Sequence, residues 1–514
     1  MVGPAQQGVE MVAIAYTVAF EGVEARLVEV QCSVSVGMPG FAIVGLPDKA
    51  VSEARERVRA AFGALAIALP NRRVTVNLAP ADLPKEGPHF DLPIALAVLG
   101  ALEVVPAEAL ERVVALGEMA LDGRLAPVAG ALPAALAAAE EDRALMVPRA
   151  CGPEAAWVGS VPVLAPRNLR EAIEHLTERS PLAPARPGPP AEPPTHEDLA
   201  EVKGQERARR AIEIAAAGRH HLLMVGPPGA SKTMLARRLP GILPPLSPQE
   251  ALETSVVHSV AGLLRQGAIS RAAPFCQPHH TASMAAIVGG GRHAGPGQVS
   301  LAHNGVLFMD ELPEFERRVI DALREPIETG EIHIARANAH LRYPARFLLV
   351  AAANPCRCGQ LADAARACGR APSCGADYMG RVSGPMMDRF DLRLEVAPVT
   401  MEELNLPAGG ESSAMVAARV AAARRIQAER FRDHPRVRVN ADAGGALLEE
   451  VAPLDSECRA LLVLASERLG LSPRGYHRVL RTARTIADLD DSGSVRRPHL
   501  AEALSYRLAF AGVA

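Results

Sequence analysis

A chain of 514 residues has room for several domains, and its 49% hydrophobic residues supply sizeable cores. A formal net charge of −3 excludes nucleic-acid binding through a global basic field, so any phosphate-backbone contact must be a local patch or pore. No secretory pattern opens the chain, and the uncharged run from Leu92 to Leu102 is too short to span a bilayer. A cytoplasmic protein with no membrane partner is expected. Half of the 8 cysteines cluster, which suggests a metal site in a reducing compartment rather than a disulfide framework.

Residues 1–180 alternate strand-like runs (Val12 to Val18, Val28 to Val34, Arg73 to Val76) with Ala-rich helical runs, an α/β pattern. Residues 181–195 carry Pro at nearly every second position and predict a stiff, extended linker. Residues 196–400 form the chemistry-bearing core, predicted as a mostly parallel sheet wrapped by helices. Residues 401–514 read as a helical lid, with helices over Ala414 to Arg430, Leu447 to Val451, Ser456 to Leu469, Gly475 to Leu489 and Arg497 to Ala509.

Within the core, the apolar run Leu222-Leu223-Met224-Val225 enters the turn Gly226-Pro227-Pro228-Gly229-Ala230-Ser231-Lys232-Thr233, and a helical run follows. Strand, Gly/Pro turn, Lys-Thr and helix are the layout of a phosphate-binding loop. Lys232 would reach the β/γ-phosphates and the Thr233 hydroxyl would bind Mg²⁺. Ser231 stands where the usual pattern has Gly. A second apolar strand ends in Asp310 and Glu311, suited to holding the Mg²⁺ shell and to polarising a water. A third ends in Asn354, whose amide can orient that water.

Arg389, in Ser383-Gly384-Pro385-Met386-Met387-Asp388-Arg389-Phe390-Asp391, is placed to serve a neighbouring subunit's γ-phosphate or to pair with Asp388 or Asp391. Arg474 opens a lid helix and would fold over the nucleotide in cis, while Arg478 and Arg481 on one face of that helix read as solvated. Cys356, Cys358, Cys368 and Cys374, with turn residues between them, suit a structural Zn²⁺ in an insertion spanning 355–375. Glu331 to Arg342 reads as a β-hairpin whose Arg336 and Arg342 would touch a phosphate backbone or stand solvated. His279 and His280 read as structural or pore-loop residues rather than metal ligands.

Together these motifs resemble the ComM/YifB group of bacterial Mg-chelatase-like AAA+ ATPases. The resemblance also rests on Gly45-Leu46-Pro47-Asp48, Val202-Lys203-Gly204-Gln205, Pro278-His279-His280, the run Ser300 to Leu312, Ala353-Asn354-Pro355 and Tyr476-His477-Arg478. It implies Asp310 and Glu311 as the Walker B pair, Asn354 as sensor 1, Arg389 as arginine finger and Arg474 as sensor 2. It implies ATP, Mg²⁺, a nucleotide-dependent homo-oligomeric ring, a hexamer, and branched or single-stranded DNA as partner. The activity implied is ATP-driven branch migration during recombination of transforming DNA. Residues 1–180 resemble the proteolytic domain of Lon-type proteases through Pro84-Lys85-Glu86-Gly87-Pro88, but His89 and Leu132 stand at the Ser and Lys positions, so no acyl transfer is expected. A metal-insertion motor and an ATP-dependent protease or unfoldase are the alternative functions.

Overall fold

The computed structural model describes residues 12–264, 266–291, 295–336, 339–361, 368–405 and 410–507. Period-2 burial builds the first sheet. In Glu24–Ser35 the inward residues Val28, Val30 and Cys32 alternate with partly exposed ones. The 7 strands run in the order Gly40–Val44, Arg73–Ala79, Glu24–Ser35, Val12–Glu21, Val113–Ala115, Ala144–Met146 and Val163–Leu164. Val12–Glu21 and Arg73–Ala79 flank Glu24–Ser35 antiparallel, and the outer pairs are parallel. The apolar run from Leu92 forms a core helix, Asp91–Ala101, buried from Asp91 through Gly100. Among the described residues no helix is long and apolar enough to cross a membrane.

Two of the sequence motifs in this part form one knot. Asp48 caps the helix Lys49–Ala64 through Val51 N–H at 2.7 Å. Its other oxygen accepts Gly87 N–H at 3.3 Å, and its backbone N–H donates to Lys85 O at 3.0 Å. Gly45 must lack a side chain there, since a Cβ would lie 2.2 Å from Leu78 O at φ +104°.

The core sheet is parallel throughout, with 5 strands in the order Phe275–Cys276, Val306–Met309, Leu348–Ala353, Leu222–Val225, Leu392–Glu395. Both faces are buried, which explains the uninterrupted apolar runs. Leu222, Met224, Phe308 and Val350 face one apolar core, and Leu223, Val225, Leu307 and Leu349 the other. The first of these cores continues into the C-terminal helices Ser413–Arg430, Gly445–Val451, Ser456–Leu469, Pro473–Leu489 and Arg497–Ser505. Arg497–Ser505 stops short of the expected Ala509, which lies outside the described residues.

The Pro-rich segment has no regular elements, yet it is tethered on both sides. Ala185 N–H and Gly188 N–H donate to Val163 O and Pro153 O, and Ala191 N–H donates to Ile269 O at 3.1 Å. It is therefore tied both to the part of the chain around Pro153 and Val163 and to the loop that carries Ile269. The same seam holds a buried carboxylate. Glu154 Oε1 accepts the Ser259 hydroxyl and Leu132 N–H, the latter at 3.2 Å. Trp157 Nε1 donates to Gly267 O at 2.7 Å beside it.

Burial raises the Glu154 pKa above the ordinary carboxylate range, with the Ser259 and Leu132 hydrogen bonds opposing. A raised acid favours the folded state below its unfolded pKa and loses that contribution as pH rises through the folded value. Glu154→Gln keeps the accepting oxygen and removes the ionisation. Its Tm relative to wild type should therefore be higher at about pH 8 than at about pH 5. Thermal melts at both pH values check this; a difference that does not change with pH would refute it.

Candidate functional site

The turn after Leu222–Val225 is shaped by what lies beside it. A Cβ on Gly226 would meet Val396 O at 2.3 Å, so only glycine fits against the neighbouring chain. Gly229 has φ +78° and open space around it. Ser231 takes the left-handed conformation, φ 63°, as N-cap of Lys232–Arg238. A non-glycine residue holds that geometry at a cost of about 1–2 kcal/mol, so the departure from glycine leaves the turn intact but strained.

Lys232 is 8% exposed, and its Nζ donates to Gly226 O at 2.7 Å, Pro227 O at 2.9 Å and Asn354 Oδ1 at 3.2 Å. Burial lowers its pKa, and the nearby Asp310 and Glu311 carboxylates pull it back up. The Thr233 hydroxyl donates to Asp310 Oδ2 at 2.9 Å. Asp310 and Glu311 follow Val306–Met309, and Asn354 follows Leu348–Ala353. Parallel strands thus deliver all these side chains to their carboxyl ends. They line one cavity of about 320 Å³ with Pro228, Gly229, Ala230, Ser231, Met234 and Ala353, a size that suits a small-molecule ligand.

His280 lies with Nδ1 3.6 Å from Glu311 Oε2, a partner remote in sequence, and its ring is tilted against His279 at 4.2 Å between centroids. Glu311 itself has φ 53°. Gly359 of the cysteine insertion packs on the loop, since a Cβ there would lie 2.6 Å from Pro228 Cδ. Neither contact has a signature in sequence spacing.

Arg389 and Arg474 share no lining residue with that cavity. They line a separate one of about 330 Å³ with Glu328, Gly384, Pro385, Asp388 and Arg478. Arg389 is 5% exposed, donating to Glu328 Oε1 at 2.7 Å, Pro385 O at 2.6 Å and Arg324 O at 3.3 Å. The expected partners Asp388 and Asp391 are engaged elsewhere, Asp388 by Arg393 at 3.4 Å and Asp391 by Arg478 at 2.7 Å. Arg474 lies 3.4 Å from the same Glu328 and not over its own chain's phosphate loop. Arg478 and Arg481 are not solvated: Arg478 is paired with Asp391, and Arg481 Nε is buried without a hydrogen-bond partner.

Among the four clustered cysteines, Cys356 is buried and its Sγ lies 3.1 Å from Cys358 Sγ. Hydrogen bonding, first from Cys356, lowers the Cys358 thiol to about 7. Burial and then Cys368 raise Cys374 to about 11. The thiols thus sense one another, but no group of three or more His, Cys, Asp or Glu side chains among the described residues could hold a metal ion. Residues 362–367 of the insertion lie outside those described. Burial pushes the scattered Cys32 and Cys151 thiols up to about 12 and about 11, as expected of ordinary core residues.

The hairpin exists as Glu331–Arg336 paired with Ala339–Pro344; residues 337–338 and the Arg336 side chain lie outside the described part. It is not free. The turn at Gly22 packs on its backbone, where a Cβ would lie 2.4 Å from Arg342 O, and Arg342 sits 3.5 Å from both Glu24 and Glu331. In the first domain His89 is buried, and its Nε2 donates to Val18 O at 2.9 Å. Burial pushes it down to about 4, so it is a neutral core histidine. Leu132 is wholly buried.

Comparison with known proteins matches three stretches: "Magnesium chelatase, subunit ChlI" at 198–404, "Subunit ChlI of Mg-chelatase" at 28–151 and its C-terminal part at 410–507. The competence protein ComM of Haemophilus influenzae is 44% identical over 96% of this chain and 97% of its own length. YifB of Escherichia coli is 44% identical over 96% of each. The chain belongs to the ComM/YifB family. The magnesium-chelatase 38 kDa subunit of Rhodobacter capsulatus is more distant, 26% identical over 60% of this chain and 86% of its own.

In this family member the arginine cluster is held by Asp391, which is 3% exposed and also accepts His221 N–H at 2.9 Å. Burial works against its charge, but Arg478, His220 and His221 outweigh that and hold it well below the usual carboxylate range. A depressed acid stabilises the fold above its unfolded pKa and loses that as pH falls through the folded value. Asp391→Asn leaves Arg478 without its carboxylate and should cost about 3 kcal/mol at neutral pH. Denaturant melts should show that loss shrinking in acid; a wild-type midpoint at neutral pH would contradict it.

Proposed function

We propose that the chain is an ATP-hydrolysing motor that forms a nucleotide-dependent hexameric ring and migrates DNA branches during recombination of incoming DNA. The observation that carries this reading is the constellation of Lys232, Thr233, Asp310, Glu311 and Asn354 in one cavity at the ends of adjacent parallel strands. The donor set fits the proposed ligand. The hydroxyl–carboxylate pair Thr233–Asp310 offers oxygen ligands to Mg²⁺, and the Lys232 ammonium offers a point charge to phosphate where it now binds carbonyls. Bound Mg²⁺ supplies charge neutralisation at the β- and γ-oxygens. Glu311 polarises the attacking water, and Asn354 orients it.

Arg389 and Arg474 lie in a cavity that excludes their own phosphate loop, which supports a role on the nucleotide of a neighbouring subunit. Glu328 then holds Arg389 in reserve until an interface forms. The near-full-length likeness to a competence protein supports the DNA role over metal insertion, for which the likeness covers less of the chain. The protease alternative lacks a nucleophile and base, since buried neutral His89 and apolar Leu132 stand where they would be. Lon-like ancestry of residues 1–180, a lid role for 401–514 and the boundary at 181–195 belong to the same proposal.

Glu311→Gln should bind ATP with Mg²⁺ but turn it over at least about a hundredfold more slowly, because the metal couple survives while water activation is lost. Lys232→Ala should lose binding. Nucleotide binding and phosphate release, measured separately, check both; wild-type turnover in Glu311→Gln would remove the assignment.

Zn²⁺ is proposed as a structural ion that would draw together Cys356, Cys358, Cys368 and Cys374, which among the described residues form no metal-holding group. Elemental analysis of chelator-free protein should find close to one equivalent per chain. Absence of metal with all four thiols free would reject it.

Branch migration is tested by strand release from a synthetic Holliday junction. ATP should drive release and a non-hydrolysable analogue should not, and Arg389→Ala should keep nucleotide binding while losing turnover. DNA binding should weaken steeply with salt. A protein that stays monomeric with ATP and DNA, or equal release with the analogue, would overturn the reading.

A further inference from the structure

A cavity of about 470 Å³ lies in the seam between the core sheet's flank and the C-terminal helices. It shares no lining residue with the phosphate-loop cavity. Core residues Arg219 and Arg346 line it from one side, and Arg436, Arg474, Arg478 and Arg481 from the other. Its carboxylates are Glu328, Asp391 and Asp442, and each is already used. Glu328 serves Arg389 and Arg474, Asp391 serves Arg478, and Asp442 serves Arg219. Arg346, Arg436 and Arg481 are left with no ion pair or side-chain hydrogen bond among the described residues. Arg481 Nε is fully buried and lacks any partner.

Arg346 and Arg481 are half-buried, with Arg481 Nε buried and unpartnered, and exposed Arg436 adds a third like charge beside them, so the arrangement is completed by an anion. Phosphate matches the planar donor fork, and the volume is that of a small-molecule site. We propose that this cavity is a second anion site, separate from the phosphate loop, that takes a small multiply charged phosphate of the pyrophosphate or polyphosphate class. Such a ligand bridges Arg346 of the core to Arg436 and Arg481 of the helical segment. It thereby clamps that segment onto the sheet beside Arg474 and Arg478. Control of how firmly the two parts are joined is thus placed in the hands of a soluble phosphate.

The test titrates inorganic pyrophosphate, without divalent metal, into the full chain by calorimetry. Lys232→Ala is the parent, so that the phosphate loop does not contribute and the outcome is independent of the ATPase reading. One saturable site per chain is expected, with a rise in Tm on binding. Adding Arg346→Gln and Arg436→Gln should weaken binding by about tenfold or more, since each removes a charge-assisted hydrogen bond. Arg436→Gln alone, at an exposed position, should weaken it partly without lowering the ligand-free Tm, which separates lost binding from lost folding. No saturable binding to Lys232→Ala, or equal binding by the Arg346/Arg436 variant, overturns the proposal. So does displacement of pyrophosphate by a single-stranded oligonucleotide that itself loses affinity in the same variant, because the site would then belong to a nucleic-acid backbone.

Discussion

The ammonium of Lys232, 8% exposed, has to be held at the edge of a cavity, and the middle of the core is arranged to do it. Two carbonyls of its own loop and the side-chain oxygen of Asn354 accept its hydrogen bonds. Those partners come from the strands Leu222–Val225 and Leu348–Ala353, which are direct neighbours in the parallel sheet. Val306–Met309, one strand further, brings Asp310 to the Thr233 hydroxyl. Parallel register is what makes all three strands end on the same side, and complete burial of both faces is what keeps the register fixed. Any slip by one residue would turn Leu222 and Met224 into the wrong apolar core and carry the phosphate loop with them.

The second arginine-rich region follows a different logic. Arg389, Arg474 and Arg478 are anchored by carboxylates, Glu328 and Asp391, that belong to the core. Burying the Arg478–Asp391 pair is costly unless its remaining groups are satisfied, and His221 N–H and the Arg389 carbonyl do satisfy them. The pair therefore fixes where the helix Pro473–Leu489 starts, and so where Arg474 points. Glu328 is half exposed and its contact with exposed Arg474 is the longer of its two, 3.4 Å, so that contact is the weakest link of the set and the one a competing anion displaces first.

Motifs carried by contiguous residues were legible in the sequence. The phosphate loop, the Asp310–Glu311 strand end, Asn354 and the hairpin are each a short run whose pattern states its own geometry. The C-terminal helices read within one or two residues because apolar periodicity marks them, apart from a late end at Arg497–Ser505. What sequence could not give are partners far apart in the chain. Glu328 with Arg389, His280 with Glu311 and Glu154 with Ser259 are pairings set by packing. Exposure was misjudged for the same reason. Arg481 sits on a helical face that reads as polar, but it lines a cavity half-buried, with its Nε shielded from solvent. The spacer-like proline segment is tied down because carbonyl partners for its amides come from before and after it in the chain, Val163 and Pro153 on one side and Ile269 on the other.

The turn at Gly22 adds a constraint on how the hairpin meets a phosphate backbone under the proposed reading. Arg342 stands between Glu24 of the first domain and Glu331 of its own hairpin, at 3.5 Å from each, and is more than half exposed. Exposed pairs of this kind contribute about 0–1 kcal/mol, so a phosphate that releases its counterions competes with them readily. Moving Arg342 onto DNA would then leave Glu24 facing the same backbone, and like charges repel. The first domain's hairpin turn must shift, or the contact stays weak. Because the Gly22 turn packs directly on the hairpin backbone, any such shift has to displace that turn as well.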